Sequence, residues 1–510
     1  MRAILLALPA AAAACGDDRS SRAPAGGGRP NVLVLSIDTL RADHLGCYGY
    51  APGREPVSPA IDQFAREGLL FERCFAPRGQ TGPSLASLLT GSYPSRHGVL
   101  DNFDPLAPDL HTLVERFADA GWSTHAFLSF LPIAKSSKGE LGFTRGGSSD
   151  GSYFEAKQRM RHEPEAKWDD AVEQQLLRFL AEAERSGRPF LAWAHFYDVH
   201  QPYSPPPPFD ERFAGGYAGK LRLPSGPSEA QFDAVVKREL DEKMVARAPL
   251  DRDDAAYVVA LYDGGIAATD ERIGRVLRAL AEAGLAERTI VALTADHGEE
   301  LGEHAGLWFH GDSVYDSVLH IPLIVRGPGV VAGHYADLIQ NVDLLPTLLD
   351  FAGARARGDG AIDGISFAAE LRGARTDAFR RRIAWSEWEH LVLSARTDRW
   401  KYVFNPRGAH PKKPPYDAPD DGGFFIDCHE LYDVAADPGE RRNVWREQKG
   451  SIDELRSLVE GEHVRRFASL RLPVGETIDD PDEREQLREL GYTAGGEGDW
   501  ALDPKSCEDD

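Results

Sequence analysis

The segment Asn31–Ile37 reads NVLVLSI, a nearly continuous run of Val, Leu and Ile. A run with no polar face suits a strand buried on both sides of a parallel sheet rather than an edge strand. Similar runs recur at Pro189–Phe196, Thr289–Leu293 and Pro322–Val325. Between them, apolar residues return at helical spacing over Ser58–Glu67, Ser84–Leu89, Leu110–Ala120, Asp169–Arg185, Asp251–Ala283 and Val342–Phe351. This alternation predicts an α/β fold with a central, mostly parallel sheet flanked by helices. Ligands of such sheets bind beyond the carboxyl ends of the strands. Asp38, His195 and Asp296 fall at or just after such ends.

The pattern changes near Ala374. Short strand-like pieces at Arg382–Trp385, His390–Ala395, Trp400–Phe404 and Glu430–Asp433, then a helix near Ile452–Ser469, predict a smaller α+β subdomain over 374–495. It follows a catalytic domain over 31–373 and precedes an acidic tail over 496–510. At the other end, Met1-Arg2 leads into AILLALPAAAAA and Cys15, the pattern of an export signal over 1–15. Cys15 after small residues is similar to a lipoprotein cleavage site, so an exported protein is expected, periplasmic or held at a membrane by a lipid on Cys15. Residues 16–30 then form a flexible tether. No later run reaches the roughly 18 apolar residues of a membrane span.

Composition narrows the partners. Acidic residues outnumber basic ones 81 to 58, a formal charge of −23 that repels nucleic acid and anionic membrane surfaces while leaving room for one positive pocket. Cys47, Cys74, Cys428 and Cys507 permit up to two disulfides in an oxidising compartment, and none has the spacing of a zinc–thiolate site.

Four constellations carry chemistry. In SIDTLRADHLGCYG, Asp38 ends an apolar run, as either a helix cap or a ligand. In TADHGEELGEHAGLWFHG, Asp296 and His297 offer a hard oxygen and an imidazole to a divalent cation, and His304 and His310 follow in the same loop. HFYDVHQPYSPPPPF sets His195, Asp198 and His200 at a strand end, either as site residues or as part of a structural prolyl turn. RGQTGPSLASLLTGSYPSRHG places Thr81 before a short helix. There a hydroxyl faces positive backbone dipoles that favour an anion, or merely caps the helix.

Together, these segments resemble the sulfatase family of the alkaline phosphatase superfamily. NVLVLSIDTLRADHLGCYGY, LLTGSYPSRHGV, HFYDVHQPY, TADHGEELGEH, VDLLPTLLDFAG and ELYDVAADPGERRNV occur in family order. The resemblance implies the family's large α/β domain with a C-terminal subdomain, and a hydrolase of sulfate or phosphate esters, small-molecule or glycan. The sequence departs from the pattern at the centre. Nine residues before Thr90, where the family carries a Cys or Ser that becomes formylglycine, stands Thr81, and Leu85 replaces the motif Arg. Threonine cannot be oxidised to formylglycine. Cys74-Phe75-Ala76-Pro77-Arg78 fits a relaxed motif, but seven residues too early. Thr39 and His297 replace an Asp and an Asn of the family, and no Gly-Lys-x-x-His is recognisable in SFLPIAKSSKGELG.

The set Asp38, Thr81, Asp296 and His297 is instead similar to that of the superfamily's single-metal threonine-nucleophile members, the phosphodiesterases and phosphoglycol or phosphoethanolamine transferases. It implies one divalent metal, zinc, manganese or calcium, with Thr81 as nucleophile. His200 and His310 would bind the ester oxygens and protonate the leaving group near neutral pH, and His304 with Asp198 would complete a second metal site. Two rivals are a non-catalytic anion- or glycan-binding lipoprotein and a phosphoglycol-type transferase. The transferases of that type carry several membrane spans.

Overall fold

The computed structural model describes residues 28–128, 168–221, 250–354, 362–376, 383–406, 410–411, 428–467 and 500–501, apart from 54, 103, 105, 108, 202, 220, 305–307, 312 and 389–391. The export signal, most of the tether, SFLPIAKSSKGELG and nearly all of the acidic tail lie outside these residues.

An eight-stranded sheet forms the core of the larger, N-terminal part of the fold. Its strands are β1 (Asn31–Ile37), β2 (Leu69–Phe75), β3 (Ser123–Leu128), β4 (Phe190–Phe196), β5 (Thr289–Ala295), β6 (His320–Arg326), β7 (Gly333–Tyr335) and β8 (Ile339–Gln340). The order is β8-β2-β6-β5-β1-β4-β3, with β7 also on β2. Pairing is parallel except where β6 runs against β2 and β5. Helices α1 (Pro59–Glu67), α2 (Thr81–Thr90), α3 (Leu113–Asp119), α4 (Trp168–Ser186), α5 (Arg252–Glu282) and α6 (Leu344–Ala352) belong to this part. Every residue of β1, β4 and β5 is buried, as expected of strands covered on both faces.

Register decides what those strands deliver. Ile37 pairs with both Phe196 and Ala295, so β1, β4 and β5 end level and Asp38, Tyr197 and Asp296 leave the sheet side by side. The expected strands are all present; β2, β3 and the short β7 and β8 are additional. β2 interrupts its apolar run with Glu72 and Arg73 at a bulge between Phe71 and Cys74, and β3 (STHAFL) opens on polar residues, so neither shows the continuous apolar signature. Helix α2 begins at Thr81 rather than Ser84, with Gln80 as its extended cap residue.

The C-terminal subdomain is a four-stranded antiparallel sheet of β9 (Ala384–Trp388), β10 (Val392–Arg396), β11 (Trp400–Phe404) and β12 (His429–Asp433), with helix α7 (Asp453–Phe467) packed on β10 and β11. Cys428 is disulfide-bonded while Cys47 and Cys74 keep their thiols outside any disulfide, so of the up to two bridges expected these cysteines form at most one. No described helix is long and apolar enough to cross a membrane.

Candidate active site

The level ends of β1 and β5 place Asp38 and Asp296 in the interior, both 0% exposed. Between β1 and the following turn, Thr39 takes a left-handed φ of 56°, costly for a β-branched residue and held by partners on both sides of its peptide. Its N–H donates to Asp296 Oδ1 at 3.2 Å and its carbonyl accepts the Tyr262 hydroxyl at 2.6 Å. Asp296 Oδ1 also accepts the His297 N–H at 2.8 Å, which leaves Oδ2 free to face the site. Neither Asp38 Oδ1 nor Asp296 Oδ2 has a hydrogen-bond partner.

His297 closes the ring. Its Nδ1 lies 2.8 Å from the Gly298 carbonyl, which can only accept, so Nδ1 carries the proton. The opposite nitrogen, Nε2, is 3.3 Å from Thr81 Oγ1, 3.4 Å from Asp296 Oδ2 and 3.9 Å from Asp38 Oδ1. In a neutral imidazole that nitrogen turns its lone pair toward two carboxylate oxygens, a repulsive arrangement that a divalent cation would relieve. The electrostatics of Asp38 agree. Burial, then Asp296, push its carboxyl well above the usual range, with His297 opposing and Glu299 adding to the rise. Two unpaired buried carboxylate oxygens, one imidazole nitrogen and one hydroxyl form a donor set that fits zinc, manganese or, less closely, calcium.

Among the described residues, one group of His, Cys, Asp or Glu has three ligand atoms within 4.8 Å of one another, namely Asp38, His195 and Asp296. The sequence places His195 only at a strand end. Its Nε2 is 3.3 Å from Asp38 Oδ2 and its Nδ1 2.8 Å from Ser36 Oγ.

Thr81 is the first residue of α2 and is 0% exposed, with its hydroxyl at the positive end of the helix. Beside it, Asn102 accepts the Gly82 N–H at 2.7 Å through Oδ1, while its buried Nδ2 has no hydrogen-bond partner. That amide is available to an oxygen of a group bound at Thr81. No local pattern marks Asn102, because it reaches the helix start from a separate loop.

His310 and His200 extend the row of imidazoles. The His310 ring lies 4.4 Å from that of His297 and 4.9 Å from that of His200, which stacks on Tyr197 at 4.5 Å. His310 Nδ1 pairs with Glu299 Oε1 at 2.9 Å, and His200 Nδ1–H donates to the Gln201 carbonyl. The expectation that both titrate near neutrality needs correction. Burial, with His310 acting on His200 and His297 acting on His310, holds both well below the usual histidine range. Both rings are therefore neutral in the anion-free protein, and an anion between them would favour the imidazolium.

Among the described residues the second metal site does not form. Asp198 is ion-paired with Arg272 at 3.3 Å. His304 instead pairs with Glu300 at 2.9 Å, meets the Gly439 carbonyl at 3.1 Å and stacks on Tyr315 at 3.9 Å. Cys74 lies buried within β2, and Leu85 is a core residue of α2.

Comparison with known proteins joins these observations to a family. The sulfatase family model matches residues 30–354, more than half of the 510-residue chain. The chain is 26% identical to N-acetylglucosamine-6-O-sulfatase of Bacteroides thetaiotaomicron, over 90% of this chain and 89% of that protein. It is 25% identical to arylsulfatase A of Homo sapiens, over 84% of this chain and 85% of that one. Among solved structures, the phosphonate monoester hydrolase of Agrobacterium radiobacter aligns with a TM-score of 0.64 at 21% identity, covering 88% of this chain and 98% of that one. A 2-O GAG sulfatase aligns with a TM-score of 0.63 at 22% identity, covering 92% and 97%. The chain belongs to the sulfatase family of the alkaline phosphatase superfamily, hydrolases that act on ester bonds.

Proposed function

We propose that the protein is an exported, metal-dependent hydrolase that cleaves phosphate esters through a Thr81 nucleophile. The observation that carries the reading is the Thr81 hydroxyl at a helix N-terminus, 3.3 Å from His297 Nε2, beside two buried carboxylate oxygens without hydrogen-bond partners. A divalent cation held by Asp38, Asp296, His297 and Thr81 would favour the alkoxide of Thr81 and offset charge on the ester oxygens. Thr81 Oγ1 then attacks phosphorus in line, and the leaving-group oxygen takes a proton from the His200 and His310 side. Asn102 Nδ2–H donates to an equatorial oxygen, as a preorganised donor in a water-poor site should.

Chemistry selects phosphorus over sulfur. A sulfated formylglycine hydrate can expel sulfate by breaking its own carbon–oxygen bond, whereas a sulfated threonine has no such route. A phosphorylated threonine is instead open to water at phosphorus. The fold neighbour named as a phosphonate monoester hydrolase and the relatives named as sulfatases bracket this choice. Export and a lipid on Cys15 rest on the N-terminal sequence alone.

The test is turnover of an aryl phosphate monoester, an aryl phosphate diester and an aryl sulfate by the manganese- or zinc-loaded protein, beside Thr81→Ala. Phosphoester turnover that vanishes in the variant is expected. Sulfate turnover retained in Thr81→Ala would overturn the proposal, and binding of an anion or glycan without turnover would favour the non-catalytic reading.

A further inference from the structure

Asp38 is held by a buried hydrogen-bond chain that starts at an indole. Trp193 Nε1 lies 2.8 Å from Ser36 Oγ, Ser36 Oγ 2.8 Å from His195 Nδ1, and His195 Nε2 3.3 Å from Asp38 Oδ2. All four residues are at most 2% exposed. Strand geometry explains why they meet. Ser36 pairs in register with His195 across β1 and β4, and Trp193 and His195 are two residues apart, so the three side chains share one face of the sheet. Asp38, two residues beyond Ser36, continues along that face.

Proton counting orients the chain. An indole N–H can only donate, so Ser36 Oγ accepts from Trp193 and keeps its own single proton. Ser36 has no other hydrogen-bond partner among the described residues, so that proton goes to His195 Nδ1. A neutral imidazole that accepts at Nδ1 carries its proton on Nε2, which faces Asp38 Oδ2.

We infer that His195 is a positioning residue. Its Nε2–H holds Asp38 Oδ2, so that the partnerless Oδ1 is the oxygen presented to the cation. The inference rests on the metal reading of Asp38 and Asp296 given above. The competing geometry is direct ligation by His195, which shares a group with Asp38 and Asp296. That geometry needs a bare Nε2 and a proton on Nδ1, which would send two N–H groups to Ser36 Oγ and leave the serine proton without an acceptor.

The experiment is calorimetric titration of the full chain with Mn²⁺ and Zn²⁺, beside ¹⁵N-histidine NMR of the metal-free and metal-loaded protein. His195→Gln, whose amide supplies an N–H near the Nε2 position, is expected to keep metal affinity within about three-fold, and His195→Ala to weaken it by about 10- to 100-fold. The His195 ring is expected to stay protonated at Nε2 in both states. Loss of that proton on loading, or unchanged affinity in His195→Ala, overturns the relay. Should His195→Ala fail to fold, His195→Asn decides, since its amide is too short to reach Asp38 Oδ2 and unchanged affinity there overturns the relay as well. Asp296→Asn separates the two readings. If it leaves affinity unchanged, the metal reading itself falls; if it weakens binding while His195→Ala does not, only the relay falls.

Discussion

Two clusters of buried carboxylates stand in contrast. At the carboxyl ends of β1 and β5, Asp38 and Asp296 are 0% exposed, with two oxygens lacking hydrogen-bond partners. Where the C-terminal subdomain meets the larger, N-terminal part of the fold, Asp316 lies 2.8 Å from both Lys401 Nζ and Arg396 Nε, and Lys401 Nζ also lies 2.7 Å from Glu440 Oε1. Burial alone would raise the Asp316 carboxyl, yet Lys401 and Arg396 outweigh it and hold it well below the usual range. Asp38 is pushed the other way. The difference teaches how to tell a candidate binding site from a brace, because polypeptide chemistry neutralises one cluster and leaves the other with the unpaired oxygens that the proposed cation would take.

The brace also serves the site. Its Asp316 opens the turn whose Ser317 and Val318 carbonyls accept the Glu299 and Gly298 N–H groups, immediately after His297. The subdomain thus supports the backbone that carries Asp296 and His297.

Substitutions can break or sharpen the contrast. The largest effect is expected from Thr81→Ala, which should lower phosphoester turnover by at least about 10³-fold while weakening metal binding by less than the loss of a carboxylate ligand does, read by steady-state kinetics beside calorimetry. Next, Asp296→Asn should weaken metal binding by more than about 100-fold. In the metal-free protein the same change removes a like charge from Asp38, so its melting temperature should hold or rise. A fall in both states would mean that the two carboxylates are structural.

Lys401→Met tests the other cluster. Leaving Asp316 and Glu440 buried without their ammonium should cost about 3 kcal/mol in urea denaturation. The smallest effect is in pH dependence. A carboxyl raised in the folded state stays protonated while the unfolded chain ionises, so Asp38 costs the metal-free protein stability as pH rises above the ordinary carboxylate range. A depressed carboxyl such as Asp316 contributes stability above that range and loses it as pH falls. Melting curves should therefore show Asp38→Asn flattening the alkaline side and Asp316→Asn flattening the acid side.

The sequence is most informative where one residue type repeats without interruption. β1, β4 and β5 are visible because strands covered on both faces must be apolar throughout, and the Asp296-His297 pair because it follows such a strand directly. β2 escapes because Glu72 and Arg73 break its run at a bulge, and Asn102 because its Oδ1 finds Gly82 from another loop. The expected role of His304 and Asp198 fails for a related reason. Both are ligand types in suggestive loops, but Glu300 and Arg272 claim them first.

Sequence by itself determined the fold class, the family and the strand ends at which chemistry is placed, because burial and strand periodicity are written locally in residue order. Tertiary structure alone decided that Ile37, Phe196 and Ala295 end level, that β6 runs antiparallel, and that His195 faces Asp38 while Asp198 turns to Arg272. Register and side-chain partnership are set between segments far apart in the chain, where each polar group takes the partner that best offsets its loss of water.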